Sequence, residues 1–170
     1  IITAEQAQQC RVQLEQYETR LGHPVEGPLR TKPHLLFKWV DDLMRNDRLL
    51  DCIEDLIGPD ILCWNSWFWI KESNSASYVS WHQDSQYWGL DTEHLVTAWL
   101  ALSTASEDSG CMRVLPGSHR AAALEHADLY NENNLLTRGQ EILNVDEASA
   151  RFMPLQAGEM SLHNIGIAHA

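Results

Sequence analysis

The tripeptide Gly58-Pro59-Asp60 separates two stretches of chain with different hydrophobic periods, and that change restricts the fold more than any other feature. Before it the spacing is helical. Thr3 to about Leu21 reads as one helix, with Thr3 as the cap and Gln6 three residues later completing a capping box. Gly22 and Pro24 end it, and Gly27 to Pro33 is a loop. His34 to about Asn46 and Arg48 to Ile57 repeat apolar residues every three to four positions and read as two further helices. After the break the chain becomes a series of short aromatic and β-branched runs divided by turn residues: Ile61–Lys71, Tyr78–His82, Leu95–Leu102, Cys111–Leu115, Ile142–Val145, Arg151–Pro154, Glu159–His163 and Ile165–Ala168. The polar stretch Ala121 to Gly139 reads as a long, partly helical insertion. Helices followed by many short strands predict a mainly β fold with flanking α, a sandwich or barrel with its N-terminal helices packed outside.

Within the β part, Ser80-Trp81-His82-Gln83-Asp84 carries a chemical signal. On a strand, residues two apart point to one face, so His82 and Asp84 can hold one metal ion from one side while Gln83 points elsewhere. His163 and His169 follow on later candidate strands. Two imidazoles and one carboxylate on one face, with the opposite face open, form the donor set of a non-haem Fe(II) oxygenase centre. A bare His-x-Asp is a weak motif, and its context must carry the assignment.

The 170 residues suffice for a single domain whose core needs no disulfide staples. No run of about 18 apolar residues exists to span a membrane, and a net charge of -12 disfavours nucleic-acid backbones and anionic lipid as partners. Cys10, Cys52, Cys63 and Cys111 lack any CxxC spacing and read as reduced thiols of a cytoplasmic protein. Oligomeric state is not legible. The chain opens at Ile1 without a methionine, so its native start is expected to lie upstream.

The context of His82 is specific. Trp81-His82-Gln83-Asp84-Ser85-Gln86-Tyr87-Trp88-Gly89-Leu90, then Thr97-Ala98-Trp99-Leu100-Ala101-Leu102, then Gly110-Cys111-Met112-Arg113-Val114-Leu115-Pro116-Gly117-Ser118-His119, and finally Ala157-Gly158-Glu159 to Ile167-Ala168-His169 resemble the phytanoyl-CoA dioxygenase family. The resemblance runs from about Gly58 to the last residue. It implies a double-stranded β-helix (jelly-roll or cupin-like) fold in a single oxygenase domain over 1–170, with 1–57 as helical flank and 58–170 as β-helix core. It further implies Fe(II), 2-oxoglutarate as co-substrate and O2, with release of succinate and CO2 as a small-molecule substrate is oxidised. In the family the later histidine is the distal ligand, which selects His169 over His163 and gives the metal set His82, Asp84 and His169. Family members that halogenate carry a small residue in place of the aspartate, so Asp84 implies hydroxylation of a C–H bond or a related oxidation. No catalytic side chain beyond the ligands is required.

By the same resemblance Lys32 reaches a 2-oxoglutarate carboxylate, and Trp67 and Trp99 line the co-substrate pocket. Without it Lys32 is a loop lysine and the two tryptophans are core residues. Tyr87 and Trp88, directly after the metal motif, are the expected substrate contacts. The family's arginine for the far carboxylate of 2-oxoglutarate would fall beyond residue 170. The last strands and that arginine are therefore expected to lie outside these 170 residues. Two rival readings use the same residues: a zinc-dependent hydrolase on the His/Asp/His set, and a non-catalytic small-ligand-binding jelly roll.

Overall fold

The computed structural model describes residues 1–90, 92, 94–136 and 138–170. Its contacts divide the chain into two compact units. The first comprises Ile1–Ile70, Leu100–Ser103 and Gln156–Met160; the second comprises Lys71–Trp99, Thr104–Leu155 and Ser161–Ala170.

The first unit is built on helices. α1 spans Ala4–Leu21, and the capping box forms as its sequence predicts: the Thr3 side chain accepts from the Gln6 N–H while the Gln6 side chain accepts from the Thr3 N–H. Gly22 closes the helix in the left-handed conformation, with its N–H returned to the Glu18 carbonyl. α2 (Lys38–Met44) and α3 (Asp47–Ile57) follow, shorter than the periodicity predicts at the first of them because Pro33 opens a single 3-10 turn over Pro33–Leu35 instead. Asn46 caps α3 through the Leu49 N–H. The core is Val25, Val40 and Phe68 wrapped by Leu14, Tyr17, Phe37 and Trp39. Within it the Tyr17 ring meets Phe37 edge-on at 4.8 Å and Trp39 stacks on Phe68 at 5.7 Å. The aromatic run 61–71 is extended but forms no ladder; its Trp67 makes one isolated bridge to Thr31. High β-propensity there finds no adjoining strand to pair with over its length.

The second unit is a stack of short extended segments. β1 (Val96–Leu100) pairs with β6 (Met160–Asn164), β2 (Arg113–Val114) with β5 (Arg151–Phe152), and β3 (His126–Asp128) with β4 (Gln140–Ile142). The last two pairs are antiparallel, with Arg113 opposite Phe152 and Ala127 opposite Glu141. The polar stretch 121–139 therefore contributes a strand and no helix among its described residues. Single hydrogen bonds stitch the pairs together. The Ile142 N–H donates to the Trp81 carbonyl, His82 and His169 exchange two bonds, and Arg113 and Ala170 exchange two more. The run 167–170 thus lies between His82 on one side and β2 on the other. Trp81, Ile142 and Ala168 form the core beneath this arrangement. Among the described residues no helix is long and apolar enough to cross a membrane.

Candidate metal centre

His82 and His169 are directly opposed residues of an antiparallel bridge, with N···O distances of 2.9 and 3.0 Å. Opposed residues project their side chains to the same side, and the two imidazole centroids come within 4.1 Å. Asp84 arrives differently from the i, i+2 strand geometry expected of it. Its backbone is already helical (φ -54, ψ -34) and it opens α4 (Ser85–Trp88). The turn from extended to helical chain after His82 swings the carboxylate back, so that Asp84 Oδ1 lies 3.6 Å from His82 Nε2. One ligating atom from each of His82, Asp84 and His169 lies within 4.8 Å of the others, and all three residues are buried.

The surrounding hydrogen bonds prepare these side chains as ligands. His82 Nδ1 faces the Ser80 carbonyl at 2.9 Å, and His169 Nδ1 faces the Ile167 carbonyl at 3.0 Å. A carbonyl only accepts, so each Nδ1 carries the proton and each Nε2 keeps its lone pair for a metal. Asp84 Oδ2 accepts from the Thr97 hydroxyl at 3.0 Å. Gln83 points away from the centre, as strand alternation predicts, and ties the loops behind it: its Nε2 donates to the Gly166 carbonyl at 2.6 Å and its Oε1 accepts from the Leu124 N–H at 2.9 Å. His126 repeats the same tautomer, with Nδ1 donating to the Leu124 carbonyl at 2.7 Å, but its Nε2 accepts the Gln83 N–H. It therefore braces the backbone between the two ligand candidates.

Electrostatics favour the ligating protonation state. Burial drives the His169 imidazolium down to about 3, with the neighbouring His82 adding to the effect and Asp84 opposing it. Burial likewise lowers His163. For Asp84, burial alone would raise the carboxyl; the facing rings of His82, His169 and His163 outweigh it and hold the group below its ordinary value. His169 is thereby held neutral and Asp84 ionised at neutral pH, and the carbonyl partners of both Nδ1 atoms leave the Nε2 lone pairs of His82 and His169 uncommitted. This N2O donor set fits a divalent first-row ion.

The other sequence-predicted residues fall into two groups. Lys32 and Trp67 belong to the first unit, where the Thr31–Trp67 bridge and the Lys32 N–H to Ser66 carbonyl bond (2.8 Å) bring them onto adjoining segments. Lys32 is held in the left-handed region at φ 52, a conformation costing a non-glycine residue about 1–3 kcal/mol. Trp99 lies half-buried on β1 of the second unit. Tyr87 and Trp88 lie on α4. The Tyr87 ring stands edge-on to His82 at 5.8 Å, and its hydroxyl both donates to the Gln140 carbonyl and accepts the Gln140 N–H. That hydroxyl therefore supports the His82 ring from behind. Thr97 and His126 escaped the sequence reading. Thr97 lay in plain sight as a polar residue inside the apolar run 95–102; nothing local marked His126.

Comparison with known proteins meets this geometry. The profile of the phytanoyl-CoA dioxygenase (PhyH) family matches residues 14–170. The chain belongs to the phytanoyl-CoA dioxygenase family. Members of and neighbours to this family give it context. A Stutzerimonas stutzeri protein named "Probable alpha-ketoglutarate-dependent hypophosphite dioxygenase" is 26% identical over 157 residues, covering 91% of this chain and 54% of that protein. The solved structure of the non-heme monooxygenase ThoJ in its apo form superposes with a TM-score of 0.82 at 33% identity, over 99% of this chain and 63% of that one. EvdO2 from Micromonospora carbonacea var. aurantiaca, complexed with 2-oxoglutarate, aligns at a TM-score of 0.61 and 25% identity over 82% of this chain and 57% of that one. The chain thus spans about half the length of the hypophosphite dioxygenase and less than two thirds of ThoJ.

Proposed function

We propose that this chain carries the metal centre of a non-haem Fe(II)/2-oxoglutarate-dependent dioxygenase that hydroxylates a C–H bond of a small-molecule substrate. The observation that carries the reading is the buried His82/Asp84/His169 cluster with both Nε2 lone pairs directed by backbone carbonyls. Those three residues would hold Fe(II) from one side. Iron held there would supply the oxidising chemistry of a reaction that consumes 2-oxoglutarate and O2 and yields succinate, CO2 and the hydroxylated substrate. The chain's own task is to orient and to keep water out. Thr97 fixes the carboxylate, Tyr87 backs His82, and Gln83 with His126 anchors the intervening backbone. By the family resemblance Lys32, Trp67 and Trp99 are assigned to the co-substrate, and the left-handed conformation of Lys32 supports a functional role for that residue. Tyr87 and Trp88 are assigned to the substrate.

The carboxylate at position 84 favours hydroxylation over halogenation, since it would hold the metal where family members that halogenate carry a small residue. The double-stranded β-helix is our reading of the stitched strand pairs of the second unit, and the family match over both units supports one oxygenase domain. Four free thiols suit a cytoplasmic setting.

The test is anaerobic. Fe(II) and 2-oxoglutarate added to the protein should give a weak visible charge-transfer band that is lost in His82→Ala and His169→Ala. Succinate formation should then depend on O2 and rise with substrate. A protein that binds zinc and is indifferent to both O2 and 2-oxoglutarate would overturn the proposal.

A further inference from the structure

We propose that His163 and Ser161 form a hydrogen-bonding pair that receives carboxylate oxygens of the metal-bound co-substrate. The inference rests on the oxygenase reading above and names residues to which neither the fold nor the ligand set assigns a role. β6 alternates, and its inward face presents Ser161 and His163, which are 7% and 8% exposed. Both His163 ring nitrogens and the Ser161 hydroxyl are buried with no hydrogen-bond partner among the described residues. The great majority of buried polar side-chain atoms are hydrogen-bonded, so three unengaged atoms on one strand face point to a ligand.

Their surroundings say where that ligand would sit. His163 Nε2 lies 3.8 Å from Asp84 Oδ2, too long for a hydrogen bond, and its ring centroid is 4.8 Å from that of His169. Thr97 on β1, the strand paired with β6, reaches the same Asp84 oxygen. Thr97 and His163 therefore lie on one face of the β1–β6 ribbon. Strand alternation places Trp99 on that face beside Thr97 and Ser161 beside His163. One wall next to the ligand cluster thus combines an indole surface with an O–H and an N–H donor. An apolar wall with two convergent donors suits a small carboxylate, whose oxygens accept both hydrogen bonds.

Four forms of the protein test this under anaerobic Fe(II): wild type, His163→Leu, His163→Gln and Ser161→Ala. Bound metal is measured directly and 2-oxoglutarate affinity through the visible band. His163→Leu should keep wild-type metal content while binding 2-oxoglutarate roughly tenfold more weakly, the loss expected for one hydrogen bond to a charged group. Ser161→Ala should weaken it several-fold, and His163→Gln, which keeps a donor, should recover most of the affinity. Wild-type protein loaded with Zn(II) and labelled with 15N-histidine needs no substitution: 2-oxoglutarate should shift the His163 ring signals. Loss of metal in His163→Leu would make His163 a ligand and overturn the assignment. So would wild-type 2-oxoglutarate affinity in that variant, or unmoved His163 signals. If wild type itself binds no 2-oxoglutarate, the oxygenase reading falls and this inference with it. A normal wild-type titration with unaffected variants sinks only the pair.

Discussion

The Thr97 hydroxyl donates to Asp84 Oδ2 at 3.0 Å and so leaves Oδ1 as the carboxylate oxygen turned towards His82. Thr97→Val keeps the shape and removes the donor. It should weaken Fe(II) binding about 10–100-fold, as loss of a ligand-orienting hydrogen bond does, with unchanged far-ultraviolet dichroism; competition against a coloured chelator measures it. Gln83 calls for the opposite pattern. Its side chain bonds at both ends to backbone groups of separate loops. Gln83→Leu should leave a part-buried carbonyl and a part-buried N–H unpaired and cost about 1–2 kcal/mol in a denaturant titration, since water can partly replace both bonds. His82 and Asp84 were legible because two ligands two positions apart leave a local signature, and the distal candidate became legible through the resemblance around Gly158. Thr97, His126 and Ser161 left no such trace, and His163 showed only as the rival for the distal position. Thr97 meets Asp84 13 positions away and His126 meets the Gln83 N–H 43 positions away, so only the fold reveals what they touch.

Elements with self-contained signals form as the sequence reads. The capping box places the start of α1 at Ala4, Gly22 its end, and Gly58 the end of α3. Thr3→Ala should therefore cost about 1 kcal/mol, the usual value of a lost helix cap, seen as a shift in denaturation midpoint without change of slope. Strands depend on neighbours, and here the reading was less complete. The run 61–71 has β composition but among the described residues pairs only at Trp67, and Asp84 leaves the extended conformation although the sequence places it on a strand. Gly158, by contrast, has a stricter role than a turn residue. It sits at φ 90, its carbonyl accepts from the Ile2 N–H, and a Cβ there would lie 2.3 Å from the Ile2 carbonyl oxygen. Gly158→Ala combines a left-handed penalty with a backbone clash and should destabilise the protein by about 3 kcal/mol. A variant as stable as wild type by thermal unfolding would show that the N-terminal residues do not pack against this turn.

Across the whole molecule, stability and metal binding are linked through protons. His169 is lowered to about 3 and His163 is lowered as well, both chiefly by burial, against an ordinary histidine value of about 6.5 in the unfolded chain. An unfolded chain therefore takes up protons before the folded one does. The stability these neutral rings contribute is fully present above about pH 6.5 and is lost progressively as pH falls towards 3. Asp84 has the same sign in a lower window. Its folded value lies below the ordinary carboxylate value of about 3.9, so its contribution holds above that pH and declines as pH falls through the folded value. Metal-free protein should accordingly melt at lower temperature at pH 5 than at pH 7, and lower again at pH 4. A divalent ion would bind the deprotonated set only, and at a free concentration 100 times its Kd it would add about 2.7 kcal/mol to the folded state. The increment in Tm on adding anaerobic Fe(II) should be large at pH 7 and shrink as protons compete below pH 6.5. His169→Ala should remove both the metal increment and part of the acid sensitivity of the metal-free form, because the same buried ring is responsible for each. A Tm of the metal-free protein that stays flat from pH 7 to pH 4 would mean that these imidazoles are hydrated rather than buried, and that the cluster is not organised in advance for a metal.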